Sequence, residues 1–178
     1  MASDAPVHIV PYDSDWPLRF DAERRLLIDA IGPWLATGSI EHIGSTAIPG
    51  LAAKPVIDIM AGIDSLEASR QALAVLERLD YCYYPYRADV MHWLCKPSPA
   101  HRTHHLHLVP VGSQLWIEQL AFRDYLRAHP DVAADYAGLK RRLADAHRLD
   151  REAYTAAKSP FVQRVVAQAL RADRAGLE

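Results

Sequence analysis

Apolar residues along the chain change their spacing from mixed to uniformly helical near Trp116, which divides it into a strand-rich first part and a helical second part. Val7 to Val10 reads as a short edge strand that stops at Pro11. Trp16, Phe20, Leu26, Leu27 and Ile31 then recur at helical spacing; Asp15 is expected to cap this helix, Pro17 fits its first turn and Gly32-Pro33 ends it. Ile40 to Gly44 and Val56 to Ile63 are short apolar runs rich in β-branched residues and predict strands. Ser65 to Leu79 predicts a second amphipathic helix with Leu66, Leu73, Leu76 and Leu79 as its buried stripe. Tyr81 to Tyr86, Met91 to Lys96 and His104 to Val111 alternate like strands, a hairpin followed by a third strand.

Beyond that point the spacing predicts two or three helices, Trp116 to Ala128, Asp131 to His147 and Asp150 to Ala172, with breaks at Pro130 and near Pro160. Neither repeats nor domain-type linkers interrupt the pattern. The expectation is a single α+β domain over residues 1–178, with a sheet-containing part over about 1–113 and a helical part over about 114–178.

Composition narrows the partners. Of 178 residues, 50% are hydrophobic and 24% charged, the make-up of an ordered globular chain. The formal charge of -2 gives no net attraction to a polyanion, so no long nucleic acid is expected. Cys82 and Cys95 each lie in an apolar, strand-like segment without ligand spacing and read as reduced, buried thiols. No membrane span or leader is recognised, and a cytoplasmic protein is expected.

The stretch "HIGSTAIPGLAAKPVIDI" carries the candidate chemistry. A Gly-Ser-Thr turn directly after a strand offers backbone N–H groups and two hydroxyls where Gly44 allows close approach, a combination suited to phosphate. In the next strand, alternation sets Val56, Asp58 and Met60 on one face and Ile57 and Ile59 on the other. A carboxylate in such a strand must be paired: a salt bridge to Lys54 or Arg102 and a metal-ligand role are both open. In "THHLHLVPV", His105 and His107 share a face about 7 Å apart and can look into one cleft. With Asp58 they resemble a two-His, one-carboxylate set. His42 is expected to point with Gly44 toward the cleft and Glu41 away from it. Trp16, Trp34, Trp93 and Trp116 read as core, while Tyr81, Tyr83, Tyr84 and Tyr86 suggest a partly exposed sheet face.

The run "EHIGSTAIPGLAAKPVIDI", followed in order by "HLHLV", "FRDYLRAHPDVAADYAGLKRRLA" and "YTAAK", resembles the GrpB family, a nucleotidyltransferase-like group whose domain is also found fused behind some dephospho-coenzyme A kinases. The resemblance spans about Val7 to Ala169. It implies the polymerase-β-like nucleotidyltransferase fold, in which a Gly-Ser turn holds nucleotide phosphates and carboxylates on the following strands hold two divalent metals. Gly44 and Ser45 match the turn and Asp58 matches the first carboxylate. Met60 stands where the second is expected, and His105 and His107 stand where a later strand would supply the third.

What the resemblance implies is a metal-dependent nucleotidyltransferase that binds a nucleoside triphosphate and transfers from it to an acceptor. Gly44, Ser45, Thr46, Lys54, Arg123 and Lys140 would bind phosphate. Asp58 would be catalytic and hold a divalent metal, Mg²⁺ or Mn²⁺ with Zn²⁺ as a softer option, together with His105 and His107. Arg127 and Lys158 are further basic positions of the same motifs. Met60 leaves open a non-catalytic nucleotide- or cofactor-binding module, and the histidines leave open a single-metal hydrolase.

Overall fold

The structure, a computed structural model, describes residues 6–36 and 39–175. Five strands, β1 (Ile40–Ile43), β2 (Ile57–Ile63), β3 (Cys82–Tyr84), β4 (His92–Pro97) and β5 (Arg102–Pro110), form one mixed sheet in the order β1-β2-β5-β4-β3. β2 and β5 run parallel, and the other neighbours are antiparallel. The helices are α1 (Trp16–Ile31), α2 (Ala72–Glu77), α3 (Gln114–Ala128), α4 (Pro130–Ala146) and α5 (Arg151–Ala175). This is the α+β architecture expected from the sequence, a mixed sheet with flanking helices and a helical C-terminal portion.

The period-2 pattern of β2 and β5 explains the layering. Ile57, Ile59, Ala61, Ile63, Leu106 and Leu108 form one sheet face and bury against Trp16, Leu27 and Ile31 of α1 and Ala72 and Leu76 of α2. On the opposite face, Ile43, Met60 and Val109 pack with Met91 and with Leu115 of α3. The helices α3, α4 and α5 share a third cluster built on Phe122, Leu126, Tyr136, Phe161 and Val165. Ile48 and Leu51, from the loop between β1 and β2, insert into that cluster. Each such burial contributes roughly 1.5–3 kcal/mol, enough to fasten the loop and the turn before it to the helical layer.

A buried polar cluster pins α1 to the first face. Glu23 Oε1 accepts from the Tyr81 hydroxyl and the Lys96 ammonium, both at 2.9 Å. Tyr81 is therefore core, not part of the exposed sheet face, whereas Tyr83, Tyr84 and Tyr86 are exposed. Trp16 is fully buried, and Trp34, Trp93 and Trp116 pack at the core margins.

Other expectations need correction. Val7 to Val10 makes a single bridge between Val10 and Ala53 instead of a strand, and the Val7 N–H donates to Arg148 O at 2.8 Å. Asp15 precedes α1 without a side-chain cap; the neighbouring Asp13 Oδ1 accepts the Asp15 N–H instead. Leu26 faces outward at 37% exposure. The helix expected from Ser65 is regular only over Ala72–Glu77, because the Leu66 carbonyl meets His92 Nε2 at 3.0 Å and the Ser69 hydroxyl at 3.3 Å. Pro160 lies inside α5 without ending it. The missing N–H removes one ladder bond, while Phe161, Val165 and Ala169 stay buried and hold the helix in place. Cys95 is buried and Cys82 half-buried, both as free thiols. Among the described residues no helix is long and apolar enough to cross a membrane.

Candidate functional site

The turn after β1 is built for close approach. Gly44 has φ 69° and ψ -170°, a region open essentially to glycine alone. A Cβ there would lie 2.5 Å from Asp58 Oδ2. One 3-10 turn, Ser45–Ala47, follows. Thr46 is buried beneath it: its hydroxyl donates to Val56 O at 3.2 Å and lies 3.0 Å from His42 Nε2. The Thr46 side chain thus braces the turn and is not directed at a phosphate. His42 is paired opposite Ile59 and stacks on Phe20 of α1 with ring centroids 4.7 Å apart, so it lies under the turn on the α1 side of the sheet. Burial lowers its pKa to about 4, and it is neutral.

That arrangement reverses the expected sides of β1. Glu41 pairs opposite Met60 and shares the face of Asp58, where Arg123 Nη1 of α3 meets its Oε2 at 2.6 Å. Arg123 also bonds Asp124 and the His42 carbonyl. It fastens α3 to β1. Arg127 is similarly engaged, donating through Nε and Nη2 to Ala47 O at 3.0 and 2.8 Å.

Asp58 does join the histidines. Ile43, Asp58 and His105 form one row across β1, β2 and β5. His105 Nδ1 is 2.8 Å from Asp58 Oδ1, and His107 Nε2 is 3.9 Å from the same oxygen. The Nε2 atoms of both histidines are buried without a hydrogen-bond partner. Burial pushes the Asp58 carboxyl up, but the hydrogen bond from His105 and the nearness of His107 outweigh it and hold the group well below the usual carboxylate range. His105 is pushed down chiefly by burial, against the pull of Asp58.

These residues do not fit a two-metal centre. Met60, on the Asp58 face, is fully buried in an apolar cluster and offers no oxygen. One Asp58 oxygen already accepts from His105 and the other packs against Gly44. Among the described residues no group of three or more His, Cys, Asp or Glu side chains is set to hold a metal.

Lysines from three elements lie within electrostatic reach of Asp58. Lys54, in the loop before β2, Lys140 on α4 and Lys158 on α5 all feel the Asp58 charge, and Lys54 and Lys140 both feel Lys158. Burial, then neighbouring cations, lowers Lys54 to about 8 and Lys140 to about 7. Burial lowers Lys158 as well. Lys140 is 2% exposed; its ammonium donates to Ala52 O at 2.6 Å and stands 4.6 Å from the Tyr136 ring centre. Lys158 stands 4.4 Å from the Tyr154 ring centre. Burial raises the Tyr136 hydroxyl, and Ser45 is near enough to offset part of that rise, which sets α4 beside the turn.

Of the expected phosphate ligands, Lys54 and Lys140, joined by Lys158, feel the charge of Asp58 next to Gly44, while the Thr46 and Arg123 side chains are engaged in bonds within the fold. Tyr136 and Tyr154 are absent from the sequence expectations. A signal for them exists: "YAGLK" and "YTAAK" repeat one Tyr-x-x-x-Lys spacing, which places ring and ammonium on one helix face.

Comparison with known proteins places this geometry in context. The profile of the family described as GrpB protein matches residues 6–168. A UPF0157 protein of Pseudomonas aeruginosa is 38% identical over 177 residues, covering 97% of this chain and 72% of its own. The glutamate-rich protein GrpB of Alkalihalophilus pseudofirmus is 34% identical, with 90% and 94% covered. A dephospho-CoA kinase of Mycolicibacterium paratuberculosis is 32% identical over 88% of this chain, which spans 44% of that protein. Among solved structures, conserved protein GrpB from Enterococcus faecalis superposes with a TM-score of 0.84 at 32% identity, covering 92% of this chain and 98% of that one. The GLD-2/RNP-8 complex (TM-score 0.58, 16% identity, 88% and 60% covered) and the Cid1 poly(U) polymerase (0.52, 14%, 77% and 44%) share the fold.

Proposed function

Because the chain belongs to the GrpB family and carries a nucleotidyltransferase-like fold, we propose that its cleft binds the polyphosphate of a nucleoside triphosphate and positions it for transfer to an acceptor. The observation that carries this reading is that Lys54, Lys140 and Lys158 all lie within electrostatic reach of Asp58, whose Oδ2 stands against Gly44, with Arg102, Arg141 and Arg151 as further cations acting on Lys54 or Lys140. Burial lowers all three ammonium groups, and Lys158 adds its repulsion at Lys54 and at Lys140. A polyphosphate relieves that repulsion: each close lysine–phosphate pair gains about 4 kcal/mol of Coulomb energy at an effective dielectric of 20, before desolvation is counted.

Within the reading, Gly44 lets the phosphate chain approach the backbone and Ser45 offers its hydroxyl. Lys140 and Lys158 meet the charge that grows on the departing pyrophosphate. Tyr136 and Tyr154 hold those two lysines by their rings. A divalent ion enters only as the counter-ion a nucleoside triphosphate brings with it. Met60 favours a second reading, a module that binds the nucleotide without transferring from it, because the position offers no metal oxygen.

Displacement of a fluorescent ATP analogue by ATP, ADP and AMP tests the proposal. Competition is expected to strengthen with phosphate number. Lys140→Met and Lys158→Met are each expected to weaken ATP by roughly tenfold to a hundredfold, the loss of one charge-assisted contact. Equal competition by AMP and ATP, or undiminished affinity in both folded variants, would contradict it.

A further inference from the structure

The Asp58–His105 contact has the form of an imidazole oriented by a carboxylate. We infer that Asp58 is a positioning residue for His105, and that His105 Nε2 takes the proton of the acceptor hydroxyl, so an oriented imidazole stands where the resemblance implies a metal carboxylate.

An ionised carboxylate only accepts hydrogen bonds, so the 2.8 Å contact at Asp58 Oδ1 requires the hydrogen on His105 Nδ1. The lone pair of His105 is thereby assigned to Nε2. That atom is buried and unpartnered, although the side chain keeps 15% exposure. An unmet buried acceptor costs about 1–3 kcal/mol, and a hydroxyl-bearing ligand would satisfy it. Asp58 has little freedom to leave the contact, because its other oxygen lies against the Gly44 backbone. The His105 ring also packs on Trp93, with centroids 5.1 Å apart.

The step rests on the proposed triphosphate reading. The acceptor O–H proton passes to His105 Nε2 while the acceptor oxygen forms its bond to the α-phosphorus. The bond from that phosphorus to the bridging oxygen breaks, and pyrophosphate leaves with the electron pair. The imidazolium is stabilised by Asp58 and returns its proton to solvent.

The first two arms of the test use the folded wild-type protein with ¹⁵N-labelled histidine and need neither nucleotide nor variant. Two-bond proton–nitrogen correlations are expected to place the His105 hydrogen on Nδ1, and millimolar Mn²⁺ is expected to leave the His105 and His107 signals unbroadened. A hydrogen on Nε2, or stoichiometric broadening of either ring by Mn²⁺, would overturn the inference. Either result is independent of whether ATP binds, so failure here is distinct from failure of the triphosphate reading. A third arm separates proton transfer from phosphate binding: His105→Gln is expected to retain ATP affinity within about threefold, and a larger loss would reassign the ring to the phosphates.

Discussion

Single residues around the turn have distinct jobs that substitution can separate. Gly44→Ala introduces both a disallowed backbone conformation and a Cβ 2.5 Å from Asp58 Oδ2, so it is expected to destabilise the fold by roughly 1–3 kcal/mol and to remove ATP binding. Denaturant unfolding together with a binding titration checks both parts. His42 acts through its neutrality. Its folded pKa near 4 lies below its ordinary value of 6.5, so its contribution is complete above pH 6.5 and is lost as pH falls toward 4. The loss amounts to about 3 kcal/mol at most. Urea unfolding at pH 7 and pH 4.5 is expected to show a steeper decline for the wild type than for His42→Gln; parallel declines would remove this role from His42.

Between elements, the sequence is informative where one face dominates and misleading where two layers compete. β2 and β5 are legible because their period-2 apolar set is buried against α1 and α2, which makes Asp58, His105 and His107 stand out on the other face. The sides of β1 were not legible. The chain turns through a glycine at positive φ directly after Ile43, so alternation cannot be extended from Gly44 back to His42. Arg123 looked like a phosphate ligand because nothing local reveals that α3 sets it against Glu41, 82 positions away. Arg123→Met is accordingly expected to cost about 1–2 kcal/mol of stability, discounted for the 32% exposure of Glu41, while leaving ATP affinity unchanged. A double-mutant cycle with Glu41→Gln measures the coupling. A large affinity loss in a folded Arg123→Met protein would return the residue to the site.

At the scale of the whole molecule, the proposed site draws on parts distant in the chain: the turn after β1, the row through Asp58 and His105, and lysines from a loop and two helices. Its electrostatics have a direction. An anion favours the charged form of Lys140 and Lys54, whose values near 7 and 8 then rise, so binding takes up protons at neutral pH. Affinity for ATP is expected to fall on the order of tenfold as pH rises from 7 to 8.5, and the binding enthalpy to depend on the buffer. A flat profile would mean that these lysines do not meet the ligand. The central claim, a polyphosphate site, is tested most directly by calorimetric titration of ATP and of AMP into the wild-type protein at pH 7. The expected result is saturable, one-to-one ATP binding at least about a hundredfold tighter than AMP, as two further phosphates each meeting a lysine imply; absence of ATP binding, or equal affinity for AMP, would contradict it.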